Sequence, residues 1–203
     1  MATGAPRRTQ AERSATTREA LLDAAIACLV EEGYANTTTA RVAERAGLSR
    51  GAHLHHFQTR AALLGAAADH LVQRRRHELQ AAADALPTGP GRVAEGLDLL
   101  FESYVHPLYQ ASLDLWTHAR TDPELREQLL PVERAFDRQT LGLTRQLFPG
   151  AASRPEFDRL VELSVATIRG LVVLDTLHPG GDRARKQWAS AREQLARLLE
   201  DAA

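Results

Sequence analysis

The chain has 203 residues, 44% hydrophobic and 25% charged, with a formal net charge of −1 and a single cysteine. Such a composition suits a globular protein with one sizeable core or two small ones. It excludes an intramolecular disulfide and a cysteine-based zinc site, and no stretch approaches the ~18 consecutive apolar residues of a membrane span, so a cytoplasmic protein with no membrane partner is expected.

Residues 1–15 are polar, carry Arg7, Arg8 and Arg13, and show no helical apolar period, so they read as a flexible basic arm. Thr16 with Glu19 three positions later has the spacing of a capping box and opens the first expected helix. Leu21, Leu22, Ala25, Ile26, Leu29 and Val30 line one face of it, Cys28 lies within the same apolar pattern, and Gly33 supplies a left-handed stop. Thr38 or Thr39 caps a short second helix with Val42, Ala43 and Ala46 inward, ending at Gly47. Ser49 then caps a third helix of about two turns, starting near Arg50. Two short helices joined by a three-residue turn containing glycine form a helix-turn-helix; neither is stable without packing on neighbours.

From Arg60 a long helix is expected to run to about Asp84, including Leu63, Leu64, Ala67, Leu71 and Leu79 on its apolar side. Its Arg74, Arg75 and Arg76 read as a solvated face, because three consecutive residues point in different directions around a helix. LPTGPGR, residues 86–92, is the strongest break in the chain. Further helices are expected over Val93–Val105 and from Pro107 to about Arg120. Another runs from Asp122-Pro123 to about Phe148, with Pro131 kinking or dividing it; Ser153-Arg154-Pro155-Glu156 opens one to Leu177, and Asp182 begins the last, to Glu200. The expected fold is all-α with about nine helices: an arm over 1–15, a helix-turn-helix domain over 16–62, and a helical domain over 63–203.

The stretch REALLDAAIACLVEEGY, then TTARVAERAGLSRG, then HHF followed by a basic residue and Leu63-Leu64, resembles the amino-terminal domain of the TetR family of transcriptional regulators. The resemblance covers about a quarter of the chain. It implies a DNA-reading helix inserted amino-end first into the major groove of a double-stranded operator. Arg50 then stands where it can pair with guanine, Gly51 and Ala52 let the backbone approach, and Ala52 suits a thymine methyl. Phosphate contacts are expected from Thr38, Thr39, His55, His56 and Arg60 at the edges, and Ser49, the cap of the reading helix, is also expected to lie at the DNA. Family members similarly use these edge positions, with lysine usual where this chain has Arg60. Leu54 replaces a common phosphate-contacting tyrosine, and His53 occupies a usually apolar position, where it is either a base reader or a half-buried packing residue.

Affinity from one short reading helix calls for two copies, hence a homodimer on a palindromic site. Ile168, Leu171, Val172 and Leu174 around Gly170, with Trp188 and Leu195 on the last helix, offer the apolar surface. The resemblance likewise implies that the final two helices pair with their symmetry mates in a four-helix bundle. It also implies a small-molecule inducer pocket in the central helices, where Phe101, Tyr104, Tyr109, Leu113, Trp116, Arg120 and Phe136 mix aromatic area with polar groups. The alternative for these residues is ordinary core with Arg120 reaching to water.

The functional expectation is a ligand-responsive regulator, a repressor released by its inducer, with no cofactor, no metal and no catalytic residues. Two alternatives stand beside it: a helical small-molecule carrier without DNA reading, and a metal or enzyme bundle. His53 and His56 are three apart and would need a third ligand to hold zinc, and no Glu-x-x-His pair occurs.

Overall fold

The computed structural model describes residues 9–89, 91–176, 178 and 182–200, with the side chains of Arg50, Ala52 and Asp182 outside that description. Among the described residues there are nine α-helices and no strand. They are α1 (Gln10–Asn36), α2 (Thr39–Arg45), α3 (Arg50–His56), α4 (Arg60–Asp84), α5 (Arg92–Val105), α6 (Pro107–Ala119), α7 (Pro123–Leu147), α8 (Phe157–Asp175) and α9 (Asp182–Glu200). No described helix is long and apolar enough to cross a membrane.

The first helix opens earlier than the Thr16 cap would have it. Thr9 is the N-cap: its Oγ1 accepts from the Glu12 amide at 3.2 Å, while the Glu12 carboxylate accepts from the Thr9 amide at 2.7 Å. The same Thr-x-x-Glu spacing occurs twice in this stretch, and the earlier copy caps. At Thr16 the hydroxyl instead donates back to the Glu12 carbonyl within the helix. Residues 10–15 are therefore helical, and residues 1–8, with Arg7 and Arg8, lie outside the described residues. Near its other end α1 breaks at Gly33, whose φ of 74° suits a residue without a Cβ. Later, α7 passes undivided through Pro131.

Two compact units make up the chain: Met1–Leu71 with Ala111–Val132, and Val72–Gln110 with Glu133–Ala203. In the first, Leu21, Leu22, Ala25 and Leu29 of α1 are buried, as are Val42 and Ala43 of α2, Leu63 and Leu64 of α4, Leu115 of α6 and Leu125 of α7. Each such leucine contributes roughly 1.5–3 kcal/mol relative to exposure. The short α2 and α3 depend on this shared core, since helices of 7 residues do not persist alone.

The core of the second unit is more aromatic. Phe101 of α5 stacks on Trp188 of α9 with centroids 4.8 Å apart and planes 4° from parallel. The Trp188 indole N–H donates to Asp98 Oδ1 at 2.7 Å, and Arg192 pairs with the other oxygen of that carboxylate at 2.6 Å. Ile168 and Val172 of α8 and Leu195 and Leu199 of α9 complete this side of the core.

Candidate functional site

The α2–α3 turn is built by a left-handed glycine. After Ala46, Gly47 takes φ 67°, its amide donates to the Glu44 carbonyl at 3.0 Å, and the Leu48 amide donates to the Ala43 carbonyl at 2.9 Å. This crossed pair satisfies the last carbonyls of α2 and turns the chain sharply into α3. At the start of α2, the Thr38 hydroxyl accepts from the Arg41 amide at 3.2 Å, as the cap reading requires.

The faces of α3 are distributed unusually. His53 is 4% exposed, with its Nε2 lacking a hydrogen-bond partner among the described residues, while the neighbouring Leu54 is 57% exposed. Ser49, Gly51 and His55 are exposed, and His56 is half-buried. The side chains of Arg50 and Ala52 are outside the described set. At the C-terminal end of α3, His55 and His56 share an open cleft with Gln10, Arg13, Ser14 and Thr17 of α1. Burial, with His55 and Arg18 adding like charge, holds the His56 imidazole below its ordinary pKa. Arg13 and Thr17 were not among the sequence candidates; their signal was the earlier Thr9 cap, which extends α1 beneath α3. No three metal-type side chains cluster among the described residues.

Thr38 is exposed, Thr39 half-buried and Arg60 half-buried. The Arg60 Nε donates to the Thr37 carbonyl at 2.8 Å, its Nη2 donates to the Tyr34 carbonyl, and its guanidinium lies 4.0 Å from the Tyr34 ring centroid. Against the same ring His118 of α6 stacks at 4.1 Å. Tyr34 also donates its amide to Asp114 at 2.7 Å and its hydroxyl to Asp122 at 3.2 Å. The end of α1, the start of α4 and the end of α6 thus share one polar clasp.

In the second unit, Tyr104, Tyr109 and Phe136 come together: Tyr104 lies 4.5 Å from Tyr109 and 6.0 Å from Phe136, ring to ring. The Arg169 guanidinium sits 5.8 Å from the Tyr104 centroid and pairs with Asp137 at 3.1 Å. Burial raises the Tyr104 and Tyr109 hydroxyl pKa values, so both stay neutral. Phe101 belongs to the Trp188 stack instead. Leu113 and Trp116, half-buried, and Arg120, exposed, fall in the first unit.

Beside this cluster lies a cavity of about 290 Å³; of the residues expected at a ligand pocket, Phe136 lines it, and the rest of its lining was not foreseen. From α4 it takes Val72, Arg75, Arg76, Leu79 and Gln80; from α7 it takes Phe136, Arg138, Gln139, Thr140, Gly142, Leu143 and Gln146, with Ala135 at the edge. The α4 set is spaced i, i+3, i+4, i+7, i+8, a single helical face that was visible in the sequence. Adjacent residues stand about 100° apart, so Arg75 and Arg76 both reach the cavity rim from opposite sides of that face.

Of the apolar residues expected at a dimer surface, Ile168, Val172, Trp188 and Leu195 are buried within this one chain, and Leu171 is half-buried. Leu174 is 49% exposed, joined on α8 by Leu163 and Val173 and on α9 by Leu198. Gly170 is exposed, with nothing within 4 Å of where a Cβ would stand.

Comparison with known proteins agrees with this geometry. The family model described as bacterial regulatory proteins, tetR family, matches residues 21–67. Over 196 residues the chain is 33% identical to the HTH-type transcriptional regulator CymR of Pseudomonas putida, covering 95% of this chain and 90% of that one. Its fold is similar to that of a transcriptional regulator from Rhodococcus sp. Rha1, with a TM-score of 0.70, 22% identity, and coverage of 91% and 96% of the two chains. A further neighbour is the FadR regulator of Bacillus subtilis in complex with stearoyl-CoA, with a TM-score of 0.64, 15% identity, and coverage of 89% and 96%. The chain belongs to the TetR family and is a helix-turn-helix transcriptional regulator.

Proposed function

We propose that the protein is a homodimeric repressor that binds a two-fold symmetric operator and is released when a small-molecule inducer occupies its helical domain. The observation that carries this reading is the exposed rim of α3, with Gly51, Leu54 and His55 outward and Arg13 and Thr17 of α1 beside it. In this reading Arg50, Gly51, Ala52 and Leu54 face the base edges, while Thr38, Thr39, Ser49, His55 and His56 take phosphates. Arg60 acts from behind, holding the turn before α2 in place. His53 is the packing residue of α3.

The dimer would form through the exposed face of α8, where Leu163, Val173 and Leu174 flank Gly170. Glycine inside a helix costs about 1 kcal/mol relative to alanine. Open space around Gly170 within the chain supports close approach by a second copy. Helix α4 supplies Leu63 and Leu64 to the reader's core and Val72 to Gln80 to the cavity wall. A ligand that fits better in the state with misplaced reading helices lowers DNA affinity by its differential affinity for that state.

Affinity selection of sheared genomic DNA on the purified protein at physiological salt tests this reading. A recovered two-fold site, with half-sites about one helical turn or slightly more apart, is the expected result. Retention that is sequence-independent and as strong for Arg50→Ala as for the wild type would overturn it and favour a small-molecule carrier.

A further inference from the structure

We propose that the α4–α7 cavity is the inducer site and that its ligand is a small organic anion, a carboxylate carried on an apolar body. The word inducer rests on the regulator reading above; the ligand chemistry rests on the cavity alone. Val72, Leu79, Phe136 and Leu143 provide an apolar wall. Arg75, Arg76 and Arg138 ring it with positive charge, and no aspartate or glutamate lines it. Arg75 shares its charge with Glu78 at 2.7 Å. Arg76 and Arg138 have no ion-pair partner among the described residues, so the lining carries an uncompensated positive charge. Guanidinium forks match a carboxylate geometrically, and the apolar wall beside them accepts the body that carries it.

At Gly65 an added Cβ would stand 2.7 Å from the Gln128 Cβ, and at Gly96 it would stand 2.6 Å from the Phe148 ring, so both relieve close helix approach. Gly142 lines the cavity with an ordinary helical φ and nothing within 4 Å of its would-be Cβ. Its missing side chain leaves room and relieves no clash. At one end, the Gln80 amide donates to the Gln146 carboxamide oxygen at 2.7 Å, joining the two helices across the cavity. A volume of about 290 Å³ is at the low end for ligand pockets, which selects a compact body over a long acyl chain.

The test is calorimetric titration of the DNA-free full chain with naphthalene-2-carboxylate and octanoate, each beside its primary amide, and with inorganic phosphate. At least one acid is expected to bind about tenfold or more tightly than its amide and more tightly than phosphate. Arg76→Gln and Arg138→Gln are each expected to weaken the acid about tenfold. Both arginines are exposed, so unliganded thermal midpoints should hold. Gly142→Leu, which adds a good helix former and fills the space, is expected to abolish binding with the midpoint retained or raised. The proposal is overturned by amides or phosphate binding as well as acids, by unaltered affinity in the arginine variants, or by no acid binding at millimolar concentration. Selected DNA with no acid binding would remove the ligand assignment and leave the regulator; acid binding with no selected DNA would do the reverse.

Discussion

The backbone amide of Tyr34 donates to the Asp114 carboxylate at 2.7 Å, across 80 residues of sequence. That one bond ties the non-helical turn at Gly33, directly before the reading motif, to α6. Asp114→Ala leaves the amide without its acceptor in a partly buried place and is expected to cost about 1–3 kcal/mol. Asp114→Asn keeps an oxygen there and is expected to lose less than half as much. Urea denaturation of the three proteins checks the order.

Arg60 makes a different kind of demand on its side chain. Two carbonyls and one ring face are held by a single planar fork, which a lysine ammonium cannot reproduce. Arg60→Lys is therefore expected to destabilise the fold by about 1–2 kcal/mol although it conserves charge. For Arg60→Gln, which removes the charge, DNA affinity measured well below the melting temperature should show a salt slope unchanged from wild type. A reduced slope would mean that Arg60 itself neutralises a phosphate.

Two helical glycines should respond oppositely to the same substitution. Gly65→Ala places a methyl 2.7 Å from the Gln128 Cβ, an atom fixed to its backbone, so α4 and α7 must shift and the overpacking is expected to cost about 1–3 kcal/mol. Gly142→Ala meets nothing and is expected to gain up to about 1 kcal/mol from helix propensity. Thermal melts of both variants decide the pair.

The depressed pKa of His56 gives stability a defined pH dependence. Unfolded histidine titrates near 6.5, and the folded imidazole titrates lower because burial, then His55 and Arg18, disfavour its charge. The unfolded state therefore binds more protons in that interval, so the contribution is complete above about pH 6.5 and is lost as pH falls through the folded value. His56→Gln is expected to flatten this decline. If His55, His56 and Arg13 take a DNA phosphate as proposed, its charge should raise the imidazole pKa again. Operator binding is then accompanied by proton uptake, measurable by calorimetry in buffers of different ionisation enthalpy.

Periodicity and punctuation carry most of this fold. Caps, glycines and prolines mark the helices in order, and the Gly47 turn follows directly from its residues. What periodicity cannot say is which element covers an apolar face. Trp188 belongs to a stripe that reads equally as core or as dimer surface, and the stacked Phe101, distant in sequence, decides for core. Tyr109, Leu113 and Trp116 share one face of α6, with Arg120 just past its end, yet the chain passes from one compact unit to the other at Gln110–Ala111, within that face. The cavity escaped notice for a related reason: Arg75 and Arg76 read as a charge run in water until α7 supplies the opposite wall.

On α3 the leucine at 54 faces water and the histidine at 53 is enclosed. In the language of energy landscapes this helix is locally frustrated, because exchanging the two residues would satisfy both environments better. Such conflict between local preference and native placement concentrates where function, rather than stability, has set the residue. The exchange His53→Leu with Leu54→His is therefore expected to yield a more stable protein, by about 1–3 kcal/mol from relieving the enclosed, unpartnered imidazole nitrogen, that selects its operator less well. On that expectation stability and recognition are opposed at these two adjacent positions, and a gain in one at α3 comes with a loss in the other.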